Sequence, residues 1–330
     1  MFSRRQFMAG TTAATAAALA GCGPSRDGRV RIGFVVKQPE EQWFQSEWRF
    51  AGMAARDKGF ELIRIGAADG DRVLTAIDNL AAKNASGFVI CAPDPRLGTA
   101  IEQRARVNDL KVMSVDDRLI GPDGKPIDSI PHVGISALAI GRMAGETAIA
   151  EARRREWDIG RTGVLRIAYD SLETGRDRTM GARGAIIAAG LPPAHVFDAP
   201  QRTTDTEGGF TAADPVLTRH PDLRHWIVTG LNDEAVLGGV RAAEGLGLRA
   251  DSVIGVGIGG SGTAEAEFAK RQPTGFFASI LLSPRKHGYD TSVAMYEWIV
   301  RGSRPPSLVY TDGKLMTRDN YRRLLAEEAA

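Results

Sequence analysis

Short, continuous apolar runs rich in β-branched residues alternate along this chain with longer amphipathic stretches, in two successive series. In the first series VRIGFVVK (30–37) reads as a strand buried on both faces, because it is apolar throughout rather than alternating. Residues 43–58 then put Phe44, Trp48, Ala51 and Ala55 at helical spacing and stop at Gly59. Strands are predicted at 61–65, 87–91 and 111–115, with helices at 71–83 and 98–107 between them. After a long helix at 137–155 the second series predicts strands at 164–168, 195–198, 225–229 and 253–258, and helices at 179–189, 209–218 and 234–246. Strand and helix in strict alternation imply βαβ crossovers and parallel sheets, so the expected architecture is α/β with two doubly wound lobes. A length of 330 residues is enough for two cores.

The first 22 residues, MFSRRQFMAGTTAATAAALAGC, have a different character. Ser3, Arg4, Arg5, Gln6 and Phe7 form a twin-arginine export pattern, followed by a weakly apolar Ala/Thr run without acidic residues. That run is too short and too poor in Leu and Ile to remain as a membrane-spanning helix. Leu19, Ala20, Gly21 and Cys22 look like a bacterial lipobox, so residues 1–21 are expected to be a lipoprotein-type signal, Cys22 the acylated first residue and 22–28 a tether. Paired arginines and a small-residue run each occur by chance, but their order at the N-terminus favours export. Of 42 Lys and Arg against 40 Asp and Glu, the surplus is Arg4 and Arg5, so the processed chain would be near neutral. A nucleic-acid clamp normally carries a basic surplus, and no nucleic-acid partner is expected. Cys22 and Cys91 have no CxxC or Cys/His spacing around them, so no metal is expected.

Open parallel sheets bind ligands beyond the carboxyl ends of their strands. The polar residues there are Lys37 and Glu41, Asp116 and Asp117, Tyr169 and Asp170, and Asn232 and Asp233, with Trp43 and Phe44 one step from Glu41. Carboxylates and cations bond hydroxyls directionally, and a flat aromatic face covers the C–H side of a sugar ring. The set fits a sugar better than a metal. Taken one at a time, such carboxylates more often cap helices and such aromatics more often fill cores.

The blocks GFVVKQPEEQWFQSEW (33–48), GFVICAPDPRLGTAI (87–101), VDDR (115–118), LNDEAVLGGVRAAEGLG (231–247), SPRKHGYDTS (283–292) and TRDN (317–320) resemble the periplasmic sugar-binding proteins of ABC importers. The likeness runs from about Arg31 to Arg322, and its first and fourth blocks are those of the L-arabinose binders. It implies that Lys37 and Glu41 hydrogen-bond the sugar, that Trp43 stacks on it with Phe44 beside it, and that Asp117 takes the anomeric region with Asp116 adjacent. It makes Cys91 a buried thiol near the pocket. From the other lobe Arg178 would bond a hydroxyl and the ring oxygen, Asn232 the ring hydroxyls, and Leu172 and Thr174 would form wall.

The same resemblance implies a first lobe of residues 29–136 and 283–310, a second of 137–282 and 311–330, and a hinge near Ser136, Leu282 and Tyr310. It implies a monosaccharide ligand, L-arabinose or a similar sugar such as D-galactose or D-fucose. The remaining expectations are a permease of the inner membrane as partner, a monomer, no cofactor, no catalysis, and a periplasmic, lipid-anchored location. Two alternative outputs are a periplasmic sensor for a signalling receptor and a ligand-sensing domain of a transcription regulator, which would need a helix-turn-helix ahead of Val30.

Two departures bear on specificity. Where the family carries a second asparagine, the chain reads Gly257, Ile258, Gly259, Gly260, Ser261, Gly262, and either Ser261 or a water would have to replace the amide. Ile135 replaces a methionine whose surroundings meet the C5 substituent. The glycine run also matches GxGxxG, but no acid follows about twenty residues on, so it is read as a mobile turn rather than a dinucleotide site. Asp116 and Asp117 are not expected to flank one glycosidic bond, since neighbours on a strand point opposite ways.

Overall fold

The computed structural model describes residues 28–329; Arg4, Arg5 and Cys22 lie outside them. In chain order the elements are β1 (Arg31–Val36), α1 (Gln42–Lys58), β2 (Glu61–Gly66), α2 (Gly70–Ala82), β3 (Gly87–Ile90), α3 (Gly98–Val107), β4 (Lys111–Asp116) and β5 (His132–Ile135). There follow α4 (Ala137–Arg154), β6 (Thr162–Ala168), α5 (Glu173–Ala188), β7 (Val196–Pro200), α6 (Thr206–Arg219), β8 (His225–Thr229), α7 (Asp233–Gly245), β9 (Val253–Gly259), α8 (Gly262–Ala269) and β10 (Phe276–Leu281). The chain closes with α9 (Thr291–Arg301), β11 (Leu308–Thr311), β12 (Lys314–Thr317) and α10 (Tyr321–Ala329).

Two six-stranded sheets result, ordered β11-β5-β4-β3-β1-β2 and β12-β10-β9-β8-β6-β7. Every pairing within them is parallel except β10 with β12. The chain passes between the sheets three times, after β5, after β10 and after β11. In each sheet the winding reverses beside the first strand, between β1 and β3 and between β6 and β8, which opens a crevice at their carboxyl ends. The inner strands have no solvent face: β3 is buried at all four positions and β6 at all seven. Continuous apolar runs are what such strands require.

The two predicted series are both present, with helix α6 starting three residues and helix α5 six residues earlier than periodicity suggested. Asp205 explains the first shift, since its carboxylate accepts from the Gly208 amide and caps the helix ahead of its apolar stripe. Strands β5, β11 and β12 have four residues each, too few for a period to register.

Helices α4 and α5 pack backbone to backbone through Gly141, Gly145 and Gly181. A Cβ on Gly141 would sit 1.9 Å from the Arg178 carbonyl oxygen, and one on Gly181 2.2 Å from that of Leu138. These glycines hold the helix that carries Arg178 against the first helix of the second lobe.

Candidate functional site

The first lobe supplies its groups from the ends of β1, β3 and β4. Just past β1, the Lys37 ammonium bonds the Asp117 carboxylate. Burial works against that charge, but Asp117, by charge and hydrogen bond, and Asp116 outweigh it, and the Lys37 pKa is raised. Cys91, just past β3, is wholly buried with its Sγ 3.7 Å from Asp117 Oδ2, and burial pushes the thiol well above its usual range. It is a neutral donor to the carboxylate and not a poised nucleophile. Glu41 is the residue before α1, yet its side chain makes no capping bond; burial raises its pKa against the pull of Lys37, and Glu234 of the second lobe raises it further.

Asp116 ends β4 with φ at 62°, a left-handed conformation that aspartate tolerates better than most residues. That turn sends Asp116 and Asp117 to different partners, through a kink in the backbone rather than by strand alternation. Asp116 Oδ1 accepts from Trp43 Nε1 at 3.2 Å and meets His287 Nδ1 at 2.7 Å, while His287 Nε2 lies 2.9 Å from the Thr311 hydroxyl. The indole is thereby fixed in plane, with its edge against the imidazole at a 78° interplanar angle.

Beside them Glu47 is fully buried, and neither its oxygens nor Asp116 Oδ2 has any other hydrogen-bond partner, which leaves the two carboxyls to each other. Burial and the Asp116 charge raise its pKa well above the carboxylate range, so Glu47 carries a proton that it can offer to Asp116. Burial tends to raise the Asp116 pKa too, but the His287 bond and charge lower it below its ordinary value. Glu47, Asp116 and His287 bring ligand atoms within 4.8 Å of one another, a spacing that could hold a cation. With Nδ1 spent on Asp116 and Glu47 neutral, a hydrogen-bonded relay describes the trio better.

The second lobe contributes from helices. Arg178, on α5, donates Nη1 to the Leu231 carbonyl at 2.7 Å, while its Nε is shut off from solvent without a partner. Burial lowers its pKa against the attraction of Asp117 and Asp116 from the other lobe and of Asp233 from its own. Asn232 is the cap of α7: its Oδ1 accepts from the Ala235 amide at 2.9 Å and its Nδ2 donates to the Thr204 carbonyl at 2.9 Å. The amide still has one N–H and one lone pair to offer. Leu172 and Thr174 are half-buried at the start of α5. Ile135 is 9% exposed and packs with Ile140, Ile258 and Leu282 of the second lobe.

Several expectations change. Phe44 is 3% exposed within the first-lobe core, so it supports Trp43 from beneath and offers no open face. Asp170 is held in a bidentate pair by the buried Arg166, which also bonds Asp198, and Asp233 is a buried structural acid.

The glycine run is not a mobile turn. Asp233 accepts from the Ser261 amide at 2.8 Å, Ser279 Oγ from the Gly260 amide at 3.0 Å, and the Gly259 carbonyl from the Leu282 amide at 3.2 Å. Gly259 stands at φ 134°, a region essentially closed to other residues, and a Cβ on Gly257 would meet Asp233 Oδ1 at 2.2 Å. Ser261 does not take the place of an amide either, since its hydroxyl donates to Glu234 at 2.7 Å. Sequence reading missed Glu47 and His287, which carry no local signal, and it placed Asp233 past β8 without its buried structural role.

Comparison with known proteins agrees with this geometry. A relative from Azospirillum brasilense, an ABC transporter L-arabinose-binding periplasmic protein, is 48% identical over 301 residues, 91% of this chain and 90% of that one. The L-arabinose-binding periplasmic protein of Escherichia coli K12 is 45% identical over 300 residues, 91% of both chains. Among solved structures, a periplasmic solute-binding protein from Actinobacillus succinogenes with bound D-allose superposes with a TM-score of 0.75 at 20% identity, covering 89% of this chain and all of that one. The family described as periplasmic binding proteins and the sugar-binding domain of the LacI family matches residues 29–321, and this chain belongs to it.

Proposed function

We propose that this protein captures L-arabinose or a stereochemically similar monosaccharide in the periplasm and hands it unreacted to an ABC permease. The observation that carries the reading is the cluster of Lys37, Asp117, Asp116 and Trp43 in the first lobe, with Arg178 of the other lobe near enough to be attracted by both aspartates. Both relatives at 45–48% identity bear the name of L-arabinose-binding periplasmic proteins.

A sugar hydroxyl is both donor and acceptor, and this set offers both roles. The Asp117 carboxylate accepts, the Lys37 ammonium and the Arg178 guanidinium donate, and the Trp43 ring gives the C–H face an apolar surface. Charge-assisted bonds contribute about 1.5–3 kcal/mol each, so two or three of them outweigh the cost of drying the sugar. The pocket acids serve as acceptors: Asp117 is paired with Lys37, while burial favours the protonated form of Glu47.

Residues 29–136 with 283–310, and 137–282 with 311–330, are the two lobes in this reading. Sheet membership supports it, with Thr311 the one adjustment, since it ends β11 in the first sheet. Closure about the three crossovers would join ligand groups of both lobes, so sugar and closed state favour one another. Export through the twin-arginine signal and acylation at Cys22 belong to the same proposal, as does a monomeric state. Titration calorimetry with L-arabinose, D-galactose and D-fucose tests the ligand class: binding of at least one with affinity that collapses in Arg178→Ala and Lys37→Met is expected, and no binding of any pentose or hexose refutes it. Mass spectrometry of the native protein tests the anchor, which an unmodified Cys22 refutes.

A further inference from the structure

A groove of about 700 Å³ lies on the outer edge of the first lobe, between α1 and the edge strand β2. Gln42, Gln45, Arg49 and Arg56 line its α1 side at spacings of three, four and seven residues, which is a single helix face without an acid. Arg64 stands on β2 opposite, and Arg29 lines the groove where the chain enters the fold. All four arginines are exposed. Arg64 lies 6.0 Å from the ring of Trp48, which lines the groove between helix and strand. Glu61 is the one acid in the lining, and its carboxylate is taken by Arg31 at 2.9 Å. Arg49, Arg56 and Arg64 have no acidic partner among the described residues.

We propose that this groove binds the anionic phosphate headgroups of a lipid bilayer and seats the outer edge of the first lobe on the membrane that holds Cys22. The inference rests on the acylation reading above. Two observations favour a lipid surface over an acidic protein. The unpaired charge is all cationic, is carried by guanidinium forks that match phosphate oxygens, and stands beside the half-buried Trp48. The tether also ends there: Cys22 and Arg29 are seven residues apart, which spans about 25 Å at full extension. The groove is therefore never farther than that from the bilayer. A tether alone would leave the lobe free to turn, whereas a cationic groove at its root gives the protein one face toward the membrane.

Full-length Cys22→Ser protein, which carries no acyl chain, can be sedimented with phosphatidylethanolamine vesicles made with and without phosphatidylglycerol. Pelleting that needs phosphatidylglycerol and weakens with added salt is expected. The triple variant Arg49→Gln, Arg56→Gln, Arg64→Gln should lower partitioning roughly a hundredfold, from about fivefold for each charge removed near an anionic surface. Its sugar affinity should equal the parent's, because none of the three touches the cleft. Equal pelleting with and without phosphatidylglycerol, or by parent and triple variant, overturns the proposal. So does a triple variant that pellets normally but fails to stimulate the permease in neutral-lipid discs, which would assign the groove to a protein partner. Since the measurement uses unacylated protein, an unmodified Cys22 in the native chain would defeat the anchor reading while leaving the groove's lipid affinity separately readable.

Discussion

The two lobes share a winding but build their halves of the cleft by different physics. In the first, the candidate ligand groups stand at or just past the ends of adjacent strands and are held by polar bonds: Lys37 on Asp117, His287 and Trp43 on Asp116, with the buried Glu47 beside them. In the second they stand on helices and are held by contact. Arg178 is where it is because Gly141 lets α5 touch α4, and the glycine turn after β9 is where it is because Asp233 and Ser279 pin it. The first half should therefore fail when a charge is removed, and the second when a methyl group is added.

The largest effect is expected in the first lobe. Lys37→Met keeps the volume but leaves Asp117 without its counter-charge, a loss of about 3–5 kcal/mol for a broken buried pair. Denaturant melts should show a fall in stability, and calorimetry should show sugar binding abolished. An unchanged melt would mean that Asp117 finds another partner and that charge does not hold this half together.

Acidity separates the lobes by sign. His132, buried under the first sheet and bonded to Ser114, is depressed by burial to about 4, whereas burial raises Asp233 of the second lobe to about 6. For His132 the stability present above its unfolded pKa is lost as pH falls toward 4, on the order of 3 kcal/mol. For Asp233 the sign reverses: the advantage is full below the unfolded value near 4 and is lost as pH rises through about 6, by a comparable amount. Denaturant titrations at pH 4.5 and 7.5 should show that His132→Gln reduces the acid loss and Asp233→Asn reduces the loss on the alkaline side. Variants with the parent's pH dependence would remove both residues from the account.

Gly141→Ala probes the second lobe without touching charge. The added methyl would overlap the Arg178 carbonyl, so the helices must part, at a cost of about 1–3 kcal/mol with weakened sugar binding. If stability falls while affinity is untouched, Arg178 is not positioned by this contact. Gly259→Asn should cost about 1–3 kcal/mol through backbone strain at φ 134°, without restoring an arabinose-favouring profile. A tightened L-arabinose affinity would show instead that the position merely lacks an amide. The smallest change is Trp43→Phe, which keeps the ring face and deletes the bond to Asp116, a loss of about 0.5–1.5 kcal/mol in sugar affinity.

Legibility in the sequence follows the same division. The first-lobe cluster could be read because Lys37, Glu41 and Trp43 fall within seven residues of the end of β1, where local order and strand polarity place them together. Beside them Glu47 and His287 were silent. Glu47 looks like any polar residue of an amphipathic helix until α1 docks against the segment around Gly288, whose Cβ would meet the Glu47 carbonyl at 2.2 Å. His287 is 171 residues from the Asp116 it bonds. The glycine run read as slack for a related reason, since glycine signals conformational freedom in sequence whether a loop moves or is bent tightly and tied.

Sequence by itself determined the repeated alternation of buried strands and helices, hence two parallel sheets, and the resemblance blocks named the residues at their carboxyl ends. Periodicity and strand polarity are local properties written every two to four residues. Tertiary structure alone decided which of those residues remain available to a ligand. Phe44 went to the core, Asp170 to Arg166, Ser261 to Glu234, and part of Asn232 to its helix, while Lys37, Asp117 and Arg178 were brought together across the cleft. A polar group's partners are set by which surfaces the sheets bring within about 3 Å, and that distance is fixed only when both lobes have packed.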